Sequence, residues 1–336
     1  MTSFGVALPQ APAMRDGRFD VEAWIRLVQR AEELGFREVV VADHVFVPSY
    51  WANVIGGFFV DPVTLLSFVA ARTTRIRLVI GCLVVPYRQP FGVAKMMATL
   101  DQLSGGRSAL GIVPGYLREE FEAFALPLEE RNQMTAEFVE IMRRLWTSDD
   151  ASFQGRYHSF EHWNLQPKCV QSPHVPIWVG GSSRGAITRA VEFGDVWHPL
   201  GFTVVHEEYR VDHEDELAGK TLPTSGTTPD RLREGLAHAA RLADAAGRDL
   251  SSLEVVVMPG PPPADVDGRL PSNVTGSSAA RGGQRTIDWL AEYVDAGATG
   301  FVMGVGGATI EKCTANLEVL ASEVVARLAG AGTAPG

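Results

Sequence analysis

One alternation, repeated eight times, governs this chain: a short apolar run rich in β-branched residues, then an amphipathic stretch of helical period. The runs are Phe4–Leu8, Val39–Ala42, Arg77–Val85, Ser108–Ile112, Ile177–Val179, Val196–Pro199, Leu253–Met258 and Gly300–Met303. Their residues are continuously apolar and do not alternate in polarity, so both faces of each strand are buried. Parallel sheets covered by helices have that property, whereas antiparallel sheets with one wet face do not. An α/β fold with a helix after every strand follows, and the count favours closure into a (β/α)8 TIM barrel over an open doubly wound sheet.

The helices announce themselves by spacing and caps. Trp24, Leu27, Val28, Ala31 and Leu34 recur every three or four residues, and Gly35 supplies a C-cap. Asp61-Pro62 reads as an N-cap with proline at the first helical position. Further helices are expected at about 90–103, up to Trp146, and at 183–193, 231–246, 286–296 and 310–328. One barrel domain over 1–328 is expected, with insertions near 151–171, 202–229 and 259–282 and a disordered tail at 329–336. The first insertion reads as a hairpin around Gln154-Gly155.

Composition excludes several classes. Charged residues make up 21% and the formal net charge is −10, which argues against a protein that tracks nucleic-acid phosphates or seeks anionic lipid. Cys82, Cys169 and Cys313 are scattered and odd in number, so neither a disulfide framework nor a metal site is expected. No apolar run reaches the length of a membrane span, and residues 1–10 lack a signal peptide's basic and apolar regions. The expectation is a reduced, cytoplasmic protein without nucleic-acid or membrane partners.

In such a barrel the chemistry lies at the C-terminal ends of the strands. The second run ends in Asp43 and His44, a carboxylate beside the one side chain whose proton moves near neutral pH. Residue type alone favours the plainer assignment, a capping aspartate and a loop histidine. The third run contains Gly81-Cys82-Leu83; glycine within a strand marks a bulge or a close approach, and Cys82 reads as a small buried hydrophobe. After the fifth run, Gly180-Gly181-Ser182-Ser183-Arg184-Gly185 opens a helix, where amides, hydroxyls and the helix dipole can seat a phosphate, and Arg184 and Arg189 can add charge. A rival seat is Gly304–Thr309 after the eighth run. Trp51, Phe58, Phe59, Tyr116, Trp197 and His198 can line a pocket for a flat ring, although tryptophan at a strand end is more often core. His206 and His213 lie in an acidic loop that reads as solvated.

Taken in order, these segments resemble the luciferase-like monooxygenase family, in particular its coenzyme F420-dependent oxidoreductase branch. The likeness rests on Asp43-His44, on Asp101-Gln102-Leu103-Ser104-Gly105-Gly106-Arg107, and on Leu110–Tyr116 with Glu119-Glu120-Phe121. Gln166-Pro167-Lys168, Pro176–Gly181 and Gly194-Asp195-Val196-Trp197 complete it. The resemblance implies a luciferase-like TIM barrel with insertions and a flavin-type ring at its mouth. It also implies a non-prolyl cis peptide under the ring, expected at Cys82–Leu83, and phosphate bound at Gly180–Ser183. His44 would be the proton partner of hydride transfer, with Asp43 orienting or balancing it. Asp43, His44, Cys82, Leu83, Gly180, Gly181, Ser182, Ser183 and Trp197 would hold the cofactor, and Trp51, Tyr116 and His198 the substrate. Some deazaflavin relatives carry an acid where Tyr116 stands here, so that role is absent or passes to Glu119 or Glu120.

Three functions follow from the resemblance. The first is F420-dependent hydride transfer to or from a small organic metabolite, by a reductase or dehydrogenase. The second is a reduced-FMN-dependent monooxygenase fed by a separate flavin reductase. The third is a non-catalytic flavin-binding paralogue, in which His44→Ala would alter only ligand affinity. A homodimer is expected by resemblance alone.

Overall fold

The computed structural model describes residues 2–49, 52, 57–200, 227–259 and 283–331. Trp51, His206, His213, residues 332–336 of the tail and nearly all of the 202–229 and 259–282 insertions lie outside these residues.

In chain order the first elements are β1 (Ser3–Ala7), a small antiparallel pair β2 (Met14–Arg15) and β3 (Arg18–Phe19), α1 (Val21–Glu33) and β4 (Glu38–Val41). Then come α2 (Pro62–Ala70), β5 (Arg77–Val84), α3 (Pro90–Ser104), β6 (Ser108–Val113), α4 (Arg118–Ala123) and α5 (Arg131–Thr147). A hairpin follows, β7 (Ala151–Gln154) with β8 (Ser159–Trp163), and then β9 (Ile177–Gly180), α6 (Arg184–Phe193) and β10 (Val196–His198). The described chain continues with α7 (Pro229–Ala246), β11 (Glu254–Val257), α8 (Gly283–Asp295), β12 (Gly300–Gly304) and α9 (Ile310–Leu320).

Eight strands close a parallel barrel in the order β1-β12-β11-β10-β9-β6-β5-β4. Each expected apolar run is one of these strands to within a residue at either end. Alternate side chains face in and out. Val40, Val79, Ala109, Trp178, Val196, Val256 and Val302, one from each of seven strands, pack together inside the barrel. The residues between them, such as Val39, Leu78, Leu110 and Ile177, join the helices in the larger outer core. Because both sets are apolar, the strands show no period of two.

Local chemistry explains the helix limits. Asp61 Oδ1 accepts from Thr64 N at 2.8 Å and Pro62 starts α2; Gly105 ends α3 in the left-handed region at φ 66°. The long helix expected before Trp146 is two helices, α4 and α5. Ala125 at φ 55° turns the chain between them and Pro127 prevents continuation.

The Asp101–Arg107 motif belongs to the N-terminal end of the barrel. Buried Asp101 accepts from Ser108 Oγ, Val170 N, Gln171 N and Gln171 Nε2. Arg107 donates to the carbonyls of Ala70, Thr73, Ile76 and Ser104 and to Thr73 Oγ1. These contacts tie α2, β5, β6 and the approach to β9 at the end remote from the strand C-termini.

Candidate active site

Strand β5 carries a bulge near the mouth: Ile80 faces Leu110, yet Leu83 faces Ile112, so three steps on β5 match two on β6. Gly81 and Cys82 lie in the bulge, and the peptide between them is cis. The bond expected at Cys82–Leu83 therefore lies one residue earlier. Leu83 has returned to the outward-facing core and does not meet the mouth. Glycine is required here by space: a Cβ on Gly81 would stand 2.2 Å from Val40 Cγ1, one on Gly111 2.2 Å from Ile80 O, and one on Gly180 2.5 Å from Cys82 Sγ. The bulge and three glycines thus bring β4, β5, β6 and β9 together as a close-packed floor. Burial, reinforced by Asp43, pushes the Cys82 thiol up to about 12, so it stays protonated and inert.

Asp43 and His44 follow β4 and diverge, as successive residues of an extended chain must. Asp43 is buried and held by Arg88, whose Nη1 and Nη2 donate at 2.6 and 2.8 Å, and by Val84 N at 3.1 Å. It pins the end of β5 and does not pair with His44, contrary to the expected orienting role. The acid beside His44 is Glu120 of α4, with Oε1 3.7 Å from Nδ1. Glu120 is buried, and its Oε2 accepts from Tyr87 Oη at 3.0 Å. His44 Nδ1 and Glu120 Oε1 are both buried without a hydrogen-bond partner. Phe59 packs against the imidazole at a centroid distance of 4.7 Å.

Two tyrosines enclose the acid. Burial first, and then Glu120, raises the Tyr87 phenol far above its ordinary pKa; the same causes push half-buried Tyr116 up to about 12. Both remain neutral donors near neutral pH. His198 faces the barrel interior against Trp178, and no part of it is exposed. Its Nδ1 meets Val256 O, its Nε2 has no partner, and burial pushes its pKa down to about 4. It lies beneath the floor and not on the surface expected for substrate.

The seat after β9 forms at the head of α6. Gly181 adopts φ 109°, Ser183 Oγ caps the helix by accepting from Ala186 N at 3.2 Å, and Ser182, Ser183 and Gly185 are exposed. Trp197 is buried on the outer face of β10 and braces this loop from behind, donating from Nε1 to Gly181 O at 2.9 Å. The rival loop 304–309 folds onto its own helix: Asn316 Nδ2 donates to Gly306 O, and a Cβ on Gly307 would stand 2.8 Å from Cys313 N. That packing favours the seat after β9.

His44 and the Gly180–Ser183 turn therefore share one rim, three strand spacings apart, or roughly 14 Å around the barrel. Among the described residues no cluster of His, Cys, Asp or Glu could hold a metal ion, and no helix is long and apolar enough to cross a membrane. Sequence reasoning missed Tyr87 and Arg88. A buried aspartate at a strand end needs a cation, but nothing local says that the cation lies 45 residues on.

The fold and its rim define a class of protein: a parallel (β/α)8 barrel with a buried carboxylate beside a partly exposed imidazole and an open glycine- and serine-bearing helix head at one mouth. Within that class the chain belongs to the luciferase-like monooxygenase family, whose model matches residues 1–265. The FMNH(2)-dependent dimethylsulfone monooxygenase of Pseudomonas putida is 32% identical over 197 residues, 58% of this chain and 53% of that protein. The match thus spans about half the length of that curated relative. The structure of monooxygenase RslO1 from Streptomyces bottropensis aligns with a TM-score of 0.72 at 23% identity, over 97% of this chain and 99% of that one. An F420-dependent secondary alcohol dehydrogenase in complex with an F420-acetone adduct aligns with a TM-score of 0.71 at 18% identity, over 97% and 98%. At these identities both likenesses establish the fold.

Proposed function

We propose that this protein is an F420-dependent oxidoreductase that transfers hydride to or from a small organic metabolite, with His44 as the proton partner. The observation that carries this reading is the pair of buried, unpartnered atoms His44 Nδ1 and Glu120 Oε1, 3.7 Å apart on the rim. A buried polar atom is ordinarily satisfied, and catalytic hydrogen bonds that are long without ligand tighten when one binds. The residues fit a ring with a phosphate-bearing tail: the floor under the mouth is close-packed, Phe59 and Tyr116 offer aromatic walls, and Gly181, Ser182 and Ser183 offer donors for an anion.

When bound, the deazaflavin supplies a two-electron hydride carrier. Glu120 favours a proton on His44 Nδ1, which leaves Nε2 as the atom that exchanges a proton with substrate. Tyr87 holds the carboxylate by its other oxygen, and Phe59 fixes the plane of the imidazole. Asp43 and Arg88 secure the end of β5 that forms the floor.

A titration with F420 and with FMN tests the reading. Binding of F420, with activity that falls by about a hundredfold in His44→Asn, is expected; FMN binding with no F420 binding would overturn it. The reduced-FMN monooxygenase is the second reading, favoured by the name of the 32%-identical Pseudomonas putida relative. It predicts oxygen uptake with reduced FMN and one oxygen atom incorporated into product.

A further inference from the structure

A chain of near-parallel rings connects the buried acid of the rim to solvent. Tyr87, whose phenol donates to Glu120, lies 4.8 Å from Phe124 at an interplanar angle of 21°. Phe124 closes α4 and also stacks with Phe46, 5.6 Å away at 26°. Tyr87 and Phe121 are buried with Val84 in a small apolar cluster against which Phe124 packs, so the inner end of the chain is fixed. Its outer end is uncovered: Phe46 is 42% exposed and its neighbour Val45 48%.

The same loop carries the imidazole. His44 meets Glu120, and Phe46 meets Phe124 one helical turn further on, so the loop after β4 lies on α4 by a polar rung and an aromatic one. Phe59 packs on the imidazole, and Tyr116 is near enough for the Glu120 charge to act on its phenol. A lone exposed apolar residue is ordinary, but here Val45, Phe46, Phe59 and Phe124 gather about one histidine. Apolar and aromatic walls with one or two polar groups are the usual lining of a small-molecule site. The charge at this point is negative. Glu120 is buried beside His44, Arg88 is committed to Asp43 and Asp61, and exposed Arg118 of α4 faces Glu129. Among the described residues, an anionic substrate group would meet repulsion at His44 and find those arginines already facing acids.

We propose that the substrate of this site is a neutral compound with a flat aromatic body carrying one carbonyl or hydroxyl group, and that Phe46 is the residue that selects it. The body extends the stack on Phe46 while its polar atom reaches His44, and the Tyr116 phenol offers that atom a second hydrogen bond. Offset stacking of two π-systems favours a ring over a saturated body of similar size. The chemistry at His44 rests on the hydride-transfer reading above; the preference for a ring does not.

Three ketones test this on the full chain, alone and with whichever of F420 and FMN it takes: acetophenone, cyclohexyl methyl ketone and the anion phenylglyoxylate. Titration followed by ligand-observed NMR should show the wild type binding acetophenone about threefold to tenfold more tightly than the saturated ketone. It should bind the anion about tenfold more weakly than acetophenone. Phe46→Leu keeps apolar bulk without the ring, so the preference for acetophenone over the saturated ketone should fall to near unity. Phe46→Tyr keeps the ring and should keep the preference. Equal binding of the two neutral ketones by the wild type, a preference that survives in folded Phe46→Leu, or tightest binding of phenylglyoxylate each overturns the proposal. So does the failure of all three ketones to bind in every form. The two readings fail separately. A Phe46-dependent ring preference without F420 binding refutes the cofactor and keeps the aromatic ligand, whereas F420 binding without a ring preference does the reverse.

Discussion

Glu120 and Glu38 are both buried carboxylates, and their surroundings give them different work. Glu120 is shared between Tyr87 and His44 on the rim. Replacing it by glutamine preserves an oxygen for Tyr87 and removes the charge beside the imidazole. Glu120→Gln should therefore fold normally and lose about ten- to a hundredfold in turnover; steady-state kinetics with F420 and a reducible substrate would show it, and an unchanged rate would leave Glu120 a purely structural group. Glu38 lies at the opposite end of the barrel, with both oxygens unpartnered and Arg37 3.5 Å away. Burial raises its pKa to about 7, against Arg37 and Arg77, which lower it. Because the folded state binds this proton more tightly than the unfolded chain, with its ordinary value of 4.5, the Glu38 contribution to stability declines as pH rises from the unfolded value to the folded one. Glu38→Gln abolishes that decline, and Arg37 keeps its two-pronged pair with Glu254. The variant should be more stable than the wild type at pH 8 by up to about 3 kcal/mol, with the gap closing toward pH 4.5. Urea denaturation across that range measures it, and a gap that is constant with pH would place the Glu38 proton elsewhere.

The bulge of β5 shows how an irregular strand serves a regular barrel. A glycine in a strand was legible as a sign of bulge or close approach, and both occur here: Gly81 meets Val40, and Gly111 meets Ile80 O. The residue at which register slips was not legible, because it depends on the partner strand; hence the one-residue error in the cis bond. The hairpin β7–β8 was readable from its alternation and its Gln154-Gly155 turn. The break between α4 and α5 was not, since Leu128–Trp146 continues in an apolar rhythm that masks the turn at Ala125. The glycines separate two costs that substitution tables merge. Gly111→Ala places a Cβ 2.2 Å from a backbone oxygen and should destabilise by about 3 kcal/mol or more while disturbing ligand binding. Gly105→Ala meets nothing in space and carries only the cost of φ 66°, about 1 kcal/mol, with binding intact. Denaturation and flavin titration of the two variants distinguish them; equal losses would mean that the floor has room to relax.

The barrel divides its labour between its ends, and that division decided what could be foreseen. Eight strands buried on both faces leave a local pattern that any stretch of sequence displays by itself, so the architecture was legible. The site is assembled from β4, β5, α4 and β9, and its pairings join residues tens of positions apart. His44 and the Gly180–Ser183 turn were readable because each lies at a strand end, whereas the Asp43–Arg88 pair and the Tyr87–Glu120 bond depend on loops whose meeting no local rule foretells. The opposite end holds polar networks that resemble site chemistry in composition and serve cohesion instead. Arg107 is the clearest of them, with bonds to four carbonyls and to the Thr73 hydroxyl. Arg107→Met would leave those acceptors without their donor and should lower stability by about 2–4 kcal/mol. Because the barrel's packed interior separates Arg107 from the rim, affinity of the folded protein for the proposed flavin-type ligand should stay within about twofold of the wild type. Denaturation paired with ligand titration provides the check. A large fall in affinity at unchanged stability would show the two ends coupled, with no separation between a binding rim and a structural base.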